Sequence, residues 1–174
     1  MLATVEDWNE LNNQIRRDMK NAEYFLLNYD VEMQSYENAK SESKFLPCAH
    51  DEISGARRGT MAGHPTEANA IKNINFDEHY PAYTWLKAVE IVQRGLGERK
   101  RIFLNVRRRA NARHKGRGKQ AWVTYVQQHY IDVLQERYFS EMEYIGERTI
   151  HAWWSDMIRR VVEIHCRLNN KGNK

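Results

Sequence analysis

The chain has 174 residues, of which 41% are hydrophobic, so it carries enough apolar material for a packed core and wholesale disorder is excluded. No apolar run approaches the ~20 residues that a membrane span needs, and the Met1 start lacks the apolar stretch of a signal peptide. With only 9 Gly and 3 Pro, long stretches are free of helix breakers, and we expect an all-α, cytoplasmic protein.

The net charge of +4 is unevenly spread along the chain. Residues 1–93 carry a net charge of −6, residues 94–119 carry +10, and residues 120–174 are neutral. One dense basic segment in such a chain predicts a polyanionic partner that binds locally. The two cysteines are too few for a disulfide framework.

The first 40 residues are predicted to form one long helix, which Thr4 can cap. Apolar residues recur along it in steps of three and four, close to a heptad repeat. Two interpretations of this stripe stay open: the helix folds back on its own domain, or it joins copies of the chain into a homo-oligomer. The stripe consists of Trp8, Leu11, Ile15, Met19, Ala22, Leu26, Tyr29, Met33 and Tyr36.

Residues 41–66 contain Gly, Ser and Pro without any periodicity, which predicts an irregular loop. Cys48, His50 and His64 lie in this loop, but their spacing fits no zinc pattern and a fourth ligand is missing. We therefore expect neither a metal nor a cofactor.

Residues 67–119 are predicted to be a helical region whose second half, 94–119, is the basic segment. A short helix is expected over 66–72, another from Pro81 to Arg94, and a third from Glu98 to about Ala112. Adjacent cations release counterions from a phosphate backbone and give affinity that does not depend on base sequence. The candidate phosphate contacts are Arg107, Arg108, Arg109, Arg113, Lys115, Arg117 and Lys119.

Residues 120–174 are predicted to form a helix-turn-helix unit that binds DNA. Its first helix is expected over 120–130. Asp132 and Gln135 resemble a capping box that starts a second helix, over 133–140. Gly146 is then expected to cap a long final helix with an apolar stripe at helical spacing. That stripe consists of Ile150, Trp153, Trp154, Met157, Val161, Ile164 and Leu168.

The polar residues at the start of the final helix are the candidates for reading bases. In a helix-turn-helix, the second helix enters the major groove with its N-terminal part against the bases. An arginine there can pair with a guanine edge or with a phosphate. The candidates are Glu147, Arg148, His151, Ala152 and Ser155.

The stretch from Tyr125 to Ile158, which begins YVQQHYIDVLQERYFSEMEYIGERTIHAWW, resembles the C-terminal part of the phage RinA-type late transcription activators. Those proteins are related to the sigma-factor region that reads the −35 promoter element. In them an Arg-Thr pair opens the recognition helix, and here Arg148 and Thr149 occupy those positions. The resemblance implies a phage or prophage activator of late genes that binds double-stranded DNA in the host bacterial cytoplasm, with host RNA polymerase as a partner.

Two other functions stay open at this point. A small-terminase-like packaging protein also joins a helix-turn-helix to oligomerising helices, and a protein-binding adaptor that inhibits a host defence would direct the basic segment at an acidic partner. An enzyme is not expected, because no phosphate-binding Gly loop is present. The carboxylates at 51–52 and 77–78 are only adjacent pairs, which point in different directions on a helix or turn.

Overall fold

A computed structural model describes residues 5–45, 73–113, 119–138 and 144–172. Within these ranges the protein is helical and contains no strand, which confirms the all-α class. The helices are α1 (Val5–Phe45), α2 (73–79), α3 (Tyr83–Gly95), α4 (Glu98–Arg113), α5 (Lys119–Tyr138) and α6 (Glu147–Gly172). Residues 1–29 with 84–174 form a larger compact unit, and residues 30–83 form a smaller one.

Helix α1 extends beyond the predicted residue 40, so residues 41–45 of the expected loop are helical, while 46–66 lie outside the described residues. The backbone of Asn28 is not helical (φ −109°, ψ 16°), and its side-chain amide donates a hydrogen bond to the carbonyl of Tyr24 at 2.9 Å. Asn competes with the helix ladder through such side-chain bonds, which accounts for the interruption at this position.

Helix α4 supplies the centre of the larger unit. Its buried residues lie on most of its circumference, whereas an amphipathic surface helix buries a single stripe. Helix α5 packs along it most closely, and Ala22 and Leu26 of α1 belong to the same core. The predicted inner face of α4 is confirmed, since Ile102, Phe103, Val106 and Ala110 are all buried.

Helix α5 corrects the predicted helix-turn-helix unit, because residues 119–138 form one continuous helix with no break near Asp132. No Gly or Pro interrupts this stretch, and its buried residues Val123, Val126, Tyr130 and Leu134 continue along one face through the expected break. Asp132 is an exposed interior residue of the helix and pairs with His129 at 3.3 Å. A capping-box pattern alone is therefore too weak to start a helix inside a periodic apolar run.

Helix α6 begins at the predicted position, where the amide of Ile150 donates to the carbonyl of Gly146 at 3.1 Å. Ile150, Trp154, Met157 and Val161 are buried in the core. Trp153 lies beside that stripe and is half-buried, with its indole edge-on to the ring of Phe103. Ile164 and Leu168, the last two members of the predicted stripe, are half-buried, so the inner face is fully buried only as far as Val161.

The smaller unit is organised around Tyr36 of α1. Its ring packs against Phe76, Tyr80 and Tyr83, at centroid distances of 5.2–5.9 Å. Its hydroxyl donates to Asp77 at 2.5 Å, and the ammonium of Lys40 lies 2.6 Å from the same carboxylate oxygen. The sequence pattern had not singled out this polar cluster.

Burial on its own would raise the pKa of Asp77, but the hydrogen bonds from Lys40 and Tyr36 and the charge of Lys40 bring it below its ordinary value. A carboxyl group whose pKa is lowered by folding stabilises the folded state above its unfolded pKa of about 4, and this contribution is lost as the pH falls through the folded pKa.

We therefore expect Asp77→Asn to lower the free energy of unfolding at neutral pH, with a difference from the wild type that shrinks as the pH falls below about 4. Urea unfolding followed by circular dichroism at a series of pH values measures this difference. A gap that stays constant down to the acid limit would contradict a stabilising role of the ionised carboxylate.

Candidate nucleic-acid interface

The outer face of α6 remains open while its inner face is buried. Arg148, Ala152 and Ser155 are exposed, and their spacing of four and three residues places them along one line opposite the core stripe. The N-terminal turns of α6 therefore present a cation, a small residue and a hydroxyl to the exterior, directly after the chain segment that joins α5 to α6.

Two of the predicted base-reading residues, Glu147 and His151, are engaged with each other. The Nε2 atom of His151 lies 3.5 Å from the carboxylate of Glu147, and its ring meets the indole of Trp122 edge-on with centroids 5.5 Å apart. Both side chains are about half exposed. His151 is thus held between its own helix and α5, whereas no described residue pairs with Arg148 in an ion pair or a side-chain hydrogen bond.

The same line on α6 continues to Arg159, which sequence reasoning missed. Arg159 is exposed and follows Ser155 by four residues, so it lies about 16 Å along the helix from Arg148. The sequence pattern could have identified Arg159, because the steps of three and four residues that define the inner stripe also define the outer line.

The prediction that Arg107 contacts phosphate is wrong, because this side chain is 5% exposed. Its guanidinium lies over the rings of Trp122 and Trp154, at 4.2 and 5.0 Å from their centroids. Glu23 of α1 is 3.8 Å away and accepts a hydrogen bond from the indole Nε1 of Trp154. Burial lowers the pKa of Arg107 to about 10 despite the opposing charge of Glu23, so the group remains a cation at neutral pH.

Arg108 is also turned toward the protein. It is half-buried, its Nε donates to the carbonyl of Leu26 at 2.8 Å, and its guanidinium lies 5.4 Å from the ring centroid of Tyr29. Arg108 was predicted to contact phosphate, and the structure instead directs its guanidinium toward α1. Lys100 is also engaged within the protein, because its ammonium forms an ion pair with Asp156 of α6 at 3.1 Å.

Arg109 and Arg113 are the exposed members of the predicted phosphate set within the described residues. The guanidinium of Arg113 lies 5.7 Å from the ring centroid of Tyr125. Arg113 borders an open groove of about 510 Å³, which Gln128 and His129 of α5 also line. Lys115 and Arg117 lie outside the described residues, and Lys119 is the first residue of α5.

The end of the segment between α5 and α6 is fixed by side chains. Ile145 is buried, and the amide of Gln127 donates to the hydroxyl of Tyr144 at 2.8 Å and to the carbonyl of Ile145 at 3.4 Å. This contact ties the start of α6 to the middle of α5. Residues 139–143, which include the remaining positions of the predicted turn, lie outside the described residues.

Across the described ranges, no three His, Cys, Asp or Glu side chains are grouped as metal ligands would be, and Cys48, His50 and His64 fall outside those ranges. None of the helices described is both long enough and apolar enough to cross a bilayer. Comparison of the chain with models of protein families, with curated proteins and with solved structures gave no match.

Replacing Arg107 with lysine keeps the charge but removes the planar group that lies over two indole rings. We expect a loss of about 1–3 kcal/mol in the free energy of unfolding, since each such contact is worth roughly 0.5–2 kcal/mol. The matched control is Arg109→Lys, which alters an exposed residue two positions along and should shift stability by less than about 0.5 kcal/mol. Equal effects in the two variants, measured by urea unfolding, would refute the structural role of Arg107.

Proposed function

We propose that the protein binds double-stranded DNA through the outer face of the first turns of α6, with α5 as its supporting helix. One observation carries the proposal: α6 is anchored by a stripe that is buried from Ile150 to Val161, yet Arg148, Ala152 and Ser155 stay exposed along its opposite side. A rigid helix with an exposed N-terminal part is the element that helix-turn-helix proteins insert into the major groove.

In this proposal Arg148 is the principal base-reading residue. It is exposed, and an arginine can donate two hydrogen bonds to the O6 and N7 atoms of guanine. Ser155 adds a hydroxyl that can contact a base or a phosphate, and Ala152 leaves room for the helix to approach the groove. Glu147 and His151 serve mainly to hold the helix end against Trp122.

The phosphate contacts are proposed to come from Arg109 and Arg113, together with Lys115, Arg117 and Lys119 of the basic segment. Arg159 joins them, because an exposed cation at the far end of the outer line can meet the backbone as the helix leaves the groove. This set differs from the one predicted from charge density alone, because it omits Arg107 and Arg108 and adds Arg159.

The biological role proposed is transcription regulation, namely activation of late genes in a phage or prophage. The support for this role is the resemblance to the RinA-type activators in the stretch from Tyr125 to Ile158. Host RNA polymerase is the proposed protein partner, and the host cytoplasm is the proposed location. Selection of bound fragments from a random DNA pool, followed by transcription from the recovered site, tests the role.

Arg148→Ala is expected to cost roughly 1–3 kcal/mol of binding free energy on the selected site and to relax the preference at one base pair. Arg167→Ala is the matched control, since it removes an exposed arginine from the C-terminal end of the same helix. Fluorescence anisotropy on selected and scrambled duplexes measures both. If Arg148→Ala leaves the ratio of the two affinities unchanged, α6 does not read the sequence.

Replacing Arg109 and Arg113 with glutamine should weaken binding to all duplexes alike. The slope of log K against log salt should become shallower by about 0.9 for each phosphate contact that is lost. The control removes two charges from the C-terminal half of α6, as Arg160→Gln with Arg167→Gln. A slope that changes equally in the two double variants would show that only net charge matters.

A further inference from the structure

An open groove lies between α3 and the C-terminal half of α6, away from Arg148. Its volume is about 480 Å³, within the range of roughly 300–1,000 Å³ that is usual for ligand-binding clefts. The floor is apolar, with Ile91 and Val92 from α3 and Ile164 from α6. Ile91 is 39% exposed, so the floor offers apolar surface to a molecule that enters the groove.

Arginines form the wall of this groove on α6. Arg159, Arg160 and Arg167 line it, and all three are exposed. No described residue forms an ion pair or a side-chain hydrogen bond with Arg159 or Arg167, whereas the Nε of Arg160 lies 3.2 Å from Asp156. The guanidinium group is a planar fork of N–H donors that matches a carboxylate. The wall is therefore suited to carboxylates of a partner.

Two carboxylates also line the groove, and they restrict the kind of anion that fits. Asp156 is already paired, with Lys100 at 3.1 Å and with Arg160 at 3.2 Å. Glu163 is exposed and lies one turn of the helix from each of the two unpaired arginines. A continuous row of phosphates would meet this carboxylate, whereas a peptide can place an apolar residue near it and acidic residues against the arginines.

The groove faces a different direction from the base-reading line of α6. At 3.6 residues per turn, Arg160 and Arg167 lie roughly a quarter turn around the helix from the line through Arg148, Ala152 and Ser155. A partner in the groove and a duplex on the outer face therefore occupy different sides of the same helix.

We propose that the groove between α3 and α6 binds an acidic peptide segment of another protein. An apolar side chain of that segment contacts Ile91, Val92 and Ile164, and carboxylates on either side of it pair with Arg160 and Arg167. An apolar anchor in a cleft with charged residues at the rim is the usual anatomy of a protein interface. This inference goes beyond the proposed function and does not depend on it.

Selection from a random peptide library on the immobilised full chain is the first test. We expect the enriched peptides to carry an apolar residue flanked by Asp or Glu, and we expect Arg160→Gln with Arg167→Gln to abolish this enrichment. Enrichment of basic or purely apolar peptides would overturn the proposal. The same holds if no sequence is enriched over the variant.

The contribution of the arginines is then measured by fluorescence anisotropy of one enriched peptide. Arg160→Gln with Arg167→Gln should weaken the complex by about tenfold, since each exposed ion pair contributes modestly. The matched control, Arg16→Gln with Arg17→Gln, removes two exposed arginines from α1 and should leave the affinity unchanged. Equal losses in the two double variants would show that the peptide responds only to net charge, which refutes the groove as its site.

The apolar anchor is tested by filling the groove. Gly95 lines the groove, and a Cβ added there meets no other atom within 4 Å, so Gly95→Met should keep the fold and take up the space of the anchor. Gly97→Met is the matched control, because a Cβ at Gly97 is equally unobstructed and this residue does not line the groove. We expect only Gly95→Met to abolish peptide binding, at an unchanged melting temperature. Retained affinity in Gly95→Met, or the same loss in Gly97→Met, would contradict the proposed anchor.

The arginine variant also separates this inference from the proposed DNA binding. Arg160→Gln with Arg167→Gln should lose the peptide but keep the ratio of affinities for selected and scrambled duplexes, because neither residue lies on the outer line of α6. Loss of the peptide together with loss of that ratio would show that the groove reads DNA, and the peptide site would be refuted. If the wild type binds the peptide but no duplex, the proposed function fails and the groove stands.

Discussion

The guanidinium of Arg107 lies between the indoles of Trp122 and Trp154 and beside the carboxylate of Glu23. These four residues belong to α4, α5, α6 and α1, so a single buried cation contacts every helix that surrounds the centre of the larger unit except α3. Two aromatic faces and one carboxylate offset part of the cost of removing this charge from water, although burial still lowers the pKa of Arg107 to about 10. The planar shape of arginine suits this position, whereas a lysine ammonium would have to remain hydrated.

The burial of Arg107 shows that the charge of the basic segment is not all available at the surface. A run with a net charge of +10 suggests a surface built for a polyanion, but part of that charge is used inside the protein. Arg107 holds helices together, Arg108 donates to a carbonyl of α1, and Lys100 is paired with Asp156 of α6. Within the predicted phosphate set, the cations that the structure leaves exposed are Arg109 and Arg113, toward the end of α4, so the proposed phosphate contacts lie near the start of α5.

The same packing holds α6 on its inner side and leaves its outer side exposed, as the proposed function requires. Its inner stripe is buried along three turns. Gln127 of α5 is hydrogen-bonded to Tyr144 and Ile145 just before the helix, and His151 of the helix contacts Trp122 of α5. A side chain that reads a base must be held by supporting contacts that do not themselves depend on the ligand. Arg148 projects from a helix that is held by such contacts, and it has no ion-pair partner among the described residues.

The sequence by itself determined the helical class, the bounds of α4, the start of α6, and the inner faces of these two helices. These features follow from local periodicity and from the few Gly residues that end helices, and neither depends on distant parts of the chain. The exposed positions Arg148, Ala152 and Ser155 followed from the same periodicity. Local periodicity did not predict which cations are exposed, because Arg107 and Arg109 look alike within a run of basic residues.

Only the tertiary structure decided how the ambiguous patterns were resolved. Asp132 matched a helix start, yet the apolar face of α5 continued through it and packed on α4, so the break did not form. The stripe of α1 was uniform in sequence, but the core reached Ala22 and Leu26 and ended before Met19. Burial depends on which surfaces come together from distant positions in the chain, and a periodic pattern specifies the face of a helix but not what will cover it.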